Sequence, residues 1–195
     1  MTKSKISVES IVLVGIFTAL VSIISALPIG FELFGVPATL QTFAMSFIGY
    51  LLCYKLGTGV TFIYILLGLV GIPVFNKFMA GPSVLFGPTG GFIFGFLALS
   101  FCCGFGLKLS KKAESNACKA LIAILAGIAG LLICHFAGIV QFSIVYHSSV
   151  AKSFLLVSLP YLPKDIVSVI IAYFIALSVR AALSKAKLLP ESAKL

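Results

Sequence analysis

The stretch "IVLVGIFTALVSIISAL", residues 11–27, decides the fold class of this chain. It contains no charged residue and no alternation of apolar with polar side chains. Strands of membrane barrels are about 10 residues long and alternate in this way, so a barrel strand is excluded. A helix needs about 20 mostly apolar residues to cross ~30 Å of hydrocarbon. We therefore predict a transmembrane helix over residues 11–27.

The composition extends this interpretation to the whole chain. Of its 195 residues, 61% are hydrophobic and 10% are charged, and the mean hydropathy is +1.21. Soluble domains carry roughly 25% charged residues. Further apolar runs predict spans at residues 39–54, 59–75, 91–107, 118–142 and 163–183. The chain is thus predicted to be an all-α integral membrane protein, a single transmembrane domain over residues 1–195 with six transmembrane helices.

The positive charges indicate the orientation of these spans. Six crossings place both termini on one side, and eleven of the fourteen basic residues fall there: Lys3, Lys5, Lys55, Lys108, Lys111, Lys112, Lys119, Arg180, Lys185, Lys187 and Lys194. Only Lys77, Lys152 and Lys164 fall on the other side. The positive-inside rule then puts both termini in the cytoplasm. The net charge of +9 is explained by topology, so we expect no nucleic-acid partner.

Enzymatic and metal chemistry find little support in the sequence. The five acidic residues are far apart, and the cysteines and histidines, including His135 and His147, lack the spacing of a metal site. The segment "GPSVLFGP", residues 81–88, lacks the Lys and Ser/Thr of a phosphate-binding loop. We expect no enzyme activity, cofactor, metal or nucleotide. Uphill transport would take its energy from a partner or an ion gradient.

Several polar residues lie at the predicted outer ends of the spans. They are Gln41, Asn76, Lys77, Thr89, Gln141, Lys164 and Asp165. Such groups are costly in an apolar bundle unless they are paired or bind something. Together they predict a ligand pocket that opens outward.

Each of these residues also has a simpler explanation. Asp165 follows Pro163 in a predicted first helical turn, where an acid favours the helix dipole. Lys77, Lys152 and Lys164 could be interface anchors, and Gln141 could only bridge two helices. The set is therefore stronger evidence than any one member.

The segment "NKFMAGPSVLFGPTGG", residues 76–91, contains two prolines and four glycines before a helix can restart near Gly90. Non-helical backbone at membrane depth is tolerated where it is buried in protein or lines a cavity. Its glycines would let bare backbone amides approach a ligand. Gly87, Gly91 and Gly95 also recur every four residues, a pattern typical of close helix packing.

Four blocks carry a resemblance to a known family. They read "VPATLQTFAMSFIG" (36–49), "IYILLGLVGIPVF" (63–75), "GPSVLFGPTGGFIFGF" (81–96) and "LPKDIVSVIIA" (162–172). In this order they resemble blocks of the BioY family, the biotin-specific S component of energy-coupling factor (ECF) transporters. The resemblance implies a multi-pass protein of a prokaryotic plasma membrane. It would bind biotin from outside and associate with a transmembrane coupling protein and two ATP-binding subunits.

The resemblance and the chemistry of biotin suggest roles for the polar set. Asp165 and Asn76 would bind the ureido group, and Lys164 or Lys77 would meet the carboxylate tail. Gln41, Gln141 and Thr89 are further candidates for the site, and Phe92 with Gly91 would wall the apolar ring. The loop "PIGFELFGVPAT", residues 28–39, would act as a lid. Alternatives that stay open are an S component for another vitamin, a self-sufficient secondary transporter and, less favoured, a membrane enzyme.

Members of this family dock their coupling protein through small residues spaced AxxxA on the first helix. The corresponding pattern here is Gly15-x3-Ala19 followed by Ser22-x3-Ala26, so the alanines are partly replaced. We expect these four residues to form the docking stripe. The alternative is that they pack inside the bundle.

Overall fold

A computed structural model describes residues 8–28, 32–33, 36–37, 39–189 and 193. Its helices are α1 (Val8–Ala26), α2 (Gln41–Leu69), α3 (Pro82–Leu85), α4 (Gly90–Ser110), α5 (Asn116–Val145), α6 (Val150–Val157) and α7 (Leu162–Lys185). Two-residue strands β1 (Glu32–Leu33) and β2 (Val36–Pro37) pair antiparallel between α1 and α2. Within this described part, five helices are long and apolar enough to cross a membrane: α1, α2, α4, α5 and α7. The prediction of a helical membrane protein is confirmed.

The helix α2 reverses direction at Cys53. This residue has φ 62° and ψ 174°, which lies outside the helical region. The Thr61 hydroxyl lies 3.6 Å from the Met45 sulfur, although these residues would be about 24 Å apart along a straight helix. Residues 41–52 and 54–69 are therefore two arms of a helical hairpin. They correspond to the predicted spans 39–54 and 59–75.

The second arm ends earlier than the sequence suggested. Helix α2 stops at Leu69, whereas an apolar run to residue 75 was predicted to continue the span. Gly71 has φ 100°, and Pro73 follows it, so the backbone leaves the helix here despite the apolar side chains. The restart at Gly90 agrees with the expected position.

Helix α4 packs between α2 and α5, while α7 packs on α2 and α5 and α1 packs on α2. The core contains large side chains from α2, including Tyr50 and Tyr64, each at 0% exposure. The Tyr50 hydroxyl donates to the Ala123 carbonyl of α5 at 3.1 Å. This contact joins the first arm of the hairpin to α5.

A buried arginine stabilises the turn of the hairpin. Arg180 of α7 donates through Nη1 to the carbonyls of Leu51 and Tyr50, which end the first arm. Its Nη2 donates to the Ala193 carbonyl at 2.7 Å. Carbonyls at a helix end have no partner within the helix, so a guanidinium is a suitable cap. The hairpin turn, the end of α7 and Ala193 thus lie together at one end of the bundle.

Candidate functional site

The segment after α2 folds into a tight loop at the other end of the bundle. Phe75 donates its amide to the Met79 carbonyl at 3.0 Å, and the 3-10 turn Asn76–Phe78 lies between them. The Phe75 ring is 1% exposed and packs edge-on against Tyr64, with 5.6 Å between ring centroids. At Gly81, φ is 91°, a conformation that side chains with a Cβ rarely adopt. This loop fixes the position of Asn76.

A cavity of about 60 Å³ lies between this loop and the starts of α2, α4 and α7. Six of the nine residues predicted to bind substrate line it: Gln41, Asn76, Thr89, Phe92, Lys164 and Asp165. Val36, Phe75 and Tyr161 are among the other lining residues. The convergence of polar groups at one end of the bundle agrees with the expectation from the sequence. Their roles toward a ligand remain predictions.

Asn76 lines the cavity and has a side-chain oxygen without a described hydrogen-bond partner. The residue is 5% exposed, and its Oδ1 has no hydrogen-bond partner among the residues that the structure describes. Leaving a buried acceptor unsatisfied costs about 1 to 3 kcal/mol. Because this oxygen belongs to a residue lining the cavity, a bound donor would remove that cost.

Asp165 and Lys164 form an ion pair in the first turn of α7. Lys164 Nζ lies 2.6 Å from Asp165 Oδ1, and it also donates to the Thr39 carbonyl at 2.8 Å. Asp165 is 5% exposed, while the Lys164 side chain is one-third exposed. The lysine therefore lies between the buried carboxylate and the chain that enters α2.

His135 of α5 is part of this site, although it was not among the residues predicted to bind the ligand. Its Nε2 lies 3.2 Å from Asp165 Oδ2, and its Nδ1 lies 2.8 Å from the Ser158 hydroxyl. Its ring meets Phe92 edge-on, with 5.6 Å between centroids. A histidine in the middle of an apolar span was itself the available signal, because intramembrane ionisable residues are usually paired or functional.

Gln41 is the first residue of α2, and two hydrogen bonds hold its side chain. Its Nε2 donates to the Tyr64 hydroxyl at 3.0 Å, and its Oε1 accepts from the Thr39 hydroxyl at 3.1 Å. The amide thus has a fixed orientation at the cavity wall. Both contacts lie in the hairpin or in the residues that enter it, so the fold of α2 sets this part of the site.

Three predicted site residues do not line the cavity. Gln141 donates to the carbonyls of Leu85 and Gly87, at 2.7 and 2.6 Å, and so ties the loop before α4 to α5. Gly91 is buried where α4 packs against the same face of α5, and Lys77 is exposed. Gln141 and Gly91 lie where they can position the loop and Phe92.

The antiparallel pair of strands β1 and β2 lies over one side of the cavity. The Tyr161 hydroxyl donates to the Val36 carbonyl at 2.6 Å, and the Val36 side chain packs with Phe142 and Val157. This is the described part of the loop that was predicted to act as a lid. Residues 29–31, 34–35 and 38 of that loop lie outside the described residues. The cavity of about 60 Å³ is small and only partly enclosed by the residues that the structure describes.

The four residues of the predicted docking stripe on α1 differ in their exposure. Gly15 and Ala19 are exposed, and a Cβ added at Gly15 would meet no atom of the described residues within 4 Å. Ser22 is half-buried and Ala26 is buried at 4% exposure. The outward surface therefore contains the Gly15-x3-Ala19 half of the pattern, while Ala26 packs in the bundle. No group of three His, Cys, Asp or Glu residues able to hold a metal occurs in the described ranges.

Comparisons with known proteins identify relatives of the chain. The chain is 36% identical over 168 residues to the biotin transporter BioY of Thermotoga maritima, with 85% of this chain and 92% of that protein covered. The probable biotin transporter BioY of Pyrococcus horikoshii is 33% identical, with 86% and 94% covered. A crystal structure of the S component for biotin from an ECF-type ABC transporter matches with a TM-score of 0.77 at 26% identity, covering 93% of this chain and 95% of that one.

The relatives compared are named as transporters, which supports the expectation of a membrane transport protein rather than an enzyme. The profile of the BioY family matches residues 1–185, nearly the full length of the sequence. The resemblance first seen in four separate blocks therefore extends along all of the helices. This chain belongs to the BioY family.

Proposed function

We propose that the protein is the biotin-binding S component of an ECF-type transporter, which captures biotin from outside the cell. The observation that carries this proposal is the buried Asn76 oxygen, which has no described hydrogen-bond partner and lies in a pocket beside the Asp165–Lys164 ion pair. Relatives named as biotin transporters and the matched biotin S component support the choice of ligand.

The groups at the cavity suit the parts of biotin. The ureido ring offers two N–H donors and one carbonyl, and Asp165 and Asn76 provide acceptors together with an amide donor. Lys164 is one-third exposed and can leave the Thr39 carbonyl to meet the anionic tail. Phe92 lines the pocket beside these groups and offers an apolar ring to the thioether part of the ligand. A pocket of this kind discriminates against analogues that leave its polar groups unpaired.

The proposed orientation places the pocket at the outer surface. With the two arms of α2 counted separately, the chain would cross the membrane six times and have both termini in the cytoplasm. The end with the hairpin turn contains most of the described basic residues, among them Lys55, Lys108, Lys119 and Lys185. Lys77, Lys152 and Lys164 are at the pocket end. This asymmetry supports the orientation through the positive-inside rule.

Release of biotin to the inside would need partners. In this proposal a transmembrane coupling protein docks on the exposed surface at Gly15 and Ala19, and two ATP-binding subunits supply the energy. The exposure of both small residues supports this assignment, because a bare helix surface allows close approach of another helix.

Calorimetry on the purified protein tests the proposal directly. Biotin should bind without nucleotide at a ratio near one per chain, since the polar groups form one pocket. Thiamine and riboflavin at the same concentration should give no heat. Binding of another vitamin, with none of biotin, would overturn the assignment of the ligand. Uptake of biotin into vesicles that contain this chain alone, driven by an ion gradient and without ATP, would instead favour a secondary transporter.

A further inference from the structure

A second concave site lies at the opposite end of the bundle, between the α4–α5 turn and α7. We name it the inner groove, and it has a volume of about 570 Å³. Its polar end is formed by Lys111, Asn116 and Lys119, and its apolar wall by Leu107, Phe174 and Leu177. None of these residues lines the biotin pocket. The inner groove is therefore a separate site.

The charge of the groove is not balanced within the described part of the chain. Lys111 is exposed and Lys119 is half-buried, and no ion pair joins either side chain to a described carboxylate. The ammonium groups of Lys111 and Lys119 and the amide of Asn116 thus line the same groove, and each can donate hydrogen bonds. Their natural complement is an anion with several acceptor oxygens, such as a phosphate.

The apolar wall identifies the rest of the ligand. Phe174 lies in the middle of α7 and is 55% exposed, so its ring faces the hydrocarbon of the bilayer. Helix α4 has 21 residues and is about 31 Å long, which matches the hydrocarbon thickness of ~30 Å. Lys111 directly follows α4 and therefore lies where phospholipid headgroups lie. The groove continues from this level along the apolar face of α7.

From this arrangement we infer that the inner groove binds one anionic phospholipid. Its phosphate contacts Lys111, Lys119 and Asn116, and an acyl chain lies along Leu107, Phe174 and Leu177. A basic pocket between transmembrane helices on the cytoplasmic side is a suitable site for an anionic headgroup. The inference depends on the membrane location and the proposed orientation of the chain, and not on biotin binding.

Native mass spectrometry with added lipid tests this inference. The purified protein in detergent at low ionic strength is titrated with phosphatidylglycerol or with phosphatidylcholine of identical acyl chains. The choline of phosphatidylcholine neutralises its phosphate, so only phosphatidylglycerol carries a net negative charge. Each lysine contributes about a fivefold preference for a net negative headgroup, so the first phosphatidylglycerol should bind roughly 25-fold more tightly than phosphatidylcholine. Equal retention of the two lipids would overturn the inference.

Matched variants separate a defined site from general attraction. The double variant Lys111→Ala/Lys119→Ala should lose the preference, whereas Lys111→Arg/Lys119→Arg should keep it and show that the fold is intact. Lys108→Ala/Lys185→Ala removes the same charge from the same end outside the groove and should leave the preference unchanged. An equal loss in the two alanine variants would contradict a defined site.

Displacement of bound lipid by glycerol phosphate at equal concentration would show a site for a soluble anion and overturn the role of the apolar wall. Biotin affinity is measured separately, so neither result depends on the other.

Discussion

His135 of α5 and Asp165 of α7 meet inside the bundle, with 3.2 Å between Nε2 and Oδ2. The other ring nitrogen of His135 contacts the Ser158 hydroxyl, and the other oxygen of Asp165 is paired with Lys164. The carboxylate is thus held from two sides at the wall of the cavity. In the proposed function, His135 is a positioning residue that presents Asp165 to the ureido group.

Replacing His135 should weaken biotin binding although the ring does not line the cavity. The variant His135→Ala removes a partner of Asp165, and a hydrogen bond to a charged group contributes about 1.5 to 3 kcal/mol. We expect an affinity loss of roughly tenfold to a hundredfold, measured by calorimetry.

Two further variants control for this effect. His135→Gln keeps a donor that can reach Asp165 and should recover much of the affinity. His147→Ala changes an exposed histidine and should bind biotin like the parent. Parent-like affinity of His135→Ala would show that the contact between α5 and α7 has no role in binding.

Asn76→Ala should separate binding from stability. The variant removes a buried oxygen that has no described partner, so the melting temperature without biotin should stay equal or rise. Biotin affinity should fall about tenfold, because one neutral hydrogen bond contributes about 1 to 1.5 kcal/mol. Asn116→Ala, at an exposed asparagine of α5, is the control for both measurements. A lower melting temperature with unchanged affinity would assign Asn76 to the loop fold alone.

Part of the site could be predicted from sequence because it lies at helix ends. Gln41, Lys164 and Asp165 each open an apolar span, and spans that cross the same bilayer bring such ends to one level. His135 could not be assigned in this way. Its contact with Asp165 depends on the rotation of α5 about its own axis, which an apolar run of this length does not specify.

The tight turn at Cys53, within helix α2, also could not be predicted from the sequence. Residues 52–54 contain no glycine or proline, and Cys53 adopts a positive φ that a side chain disfavours. Arg180, which donates to the two carbonyls before the turn, is 129 and 130 residues away from them in sequence. The predicted break between the two spans lay at residues 55–58, whereas the turn lies at Cys53 and Lys55 is already part of the second arm.

Tyr161→Phe should speed the release of biotin. The hydroxyl of Tyr161 donates to the Val36 carbonyl, and if the loop acts as the predicted lid, this hydrogen bond would hold it over the pocket. Losing one neutral hydrogen bond of about 1 kcal/mol should raise the dissociation rate roughly fivefold, as followed with radiolabelled biotin. Tyr146→Phe, at an exposed tyrosine, should leave the rate unchanged. An unchanged rate in Tyr161→Phe would mean that the lid opens without breaking this contact.

Gly15→Leu should block transport by the assembled complex while sparing the isolated protein. A Cβ added at Gly15 would meet no described atom within 4 Å, so folding and biotin affinity should be parent-like. It would obstruct a partner helix that packs closely on α1, and ATP-driven uptake in vesicles with the partner subunits should be lost. Gly59→Leu is the matched control, because a side chain there also meets nothing within 4 Å. Equal loss of uptake in both variants would remove the assignment of α1 as the docking helix.

Asp165→Asn should cost far more biotin affinity than Lys152→Ala, although both residues lie at the pocket end. Asp165 is 5% exposed and lines the cavity, whereas Lys152 is exposed on α6. A hydrogen bond from a ureido N–H to a buried carboxylate contributes about 1.5 to 3 kcal/mol, so Asp165→Asn should weaken binding roughly tenfold to a hundredfold.

The asparagine also tests how the carboxylate acts. It keeps the shape of Asp165 but replaces one acceptor by a donor, and it removes the charge that pairs with Lys164. If the carboxylate served only to begin α7, Asp165→Asn would lower the melting temperature and leave biotin affinity within about twofold of the parent. Asn76 would then be the leading partner of the ureido group, because it is the described cavity residue with a free buried acceptor.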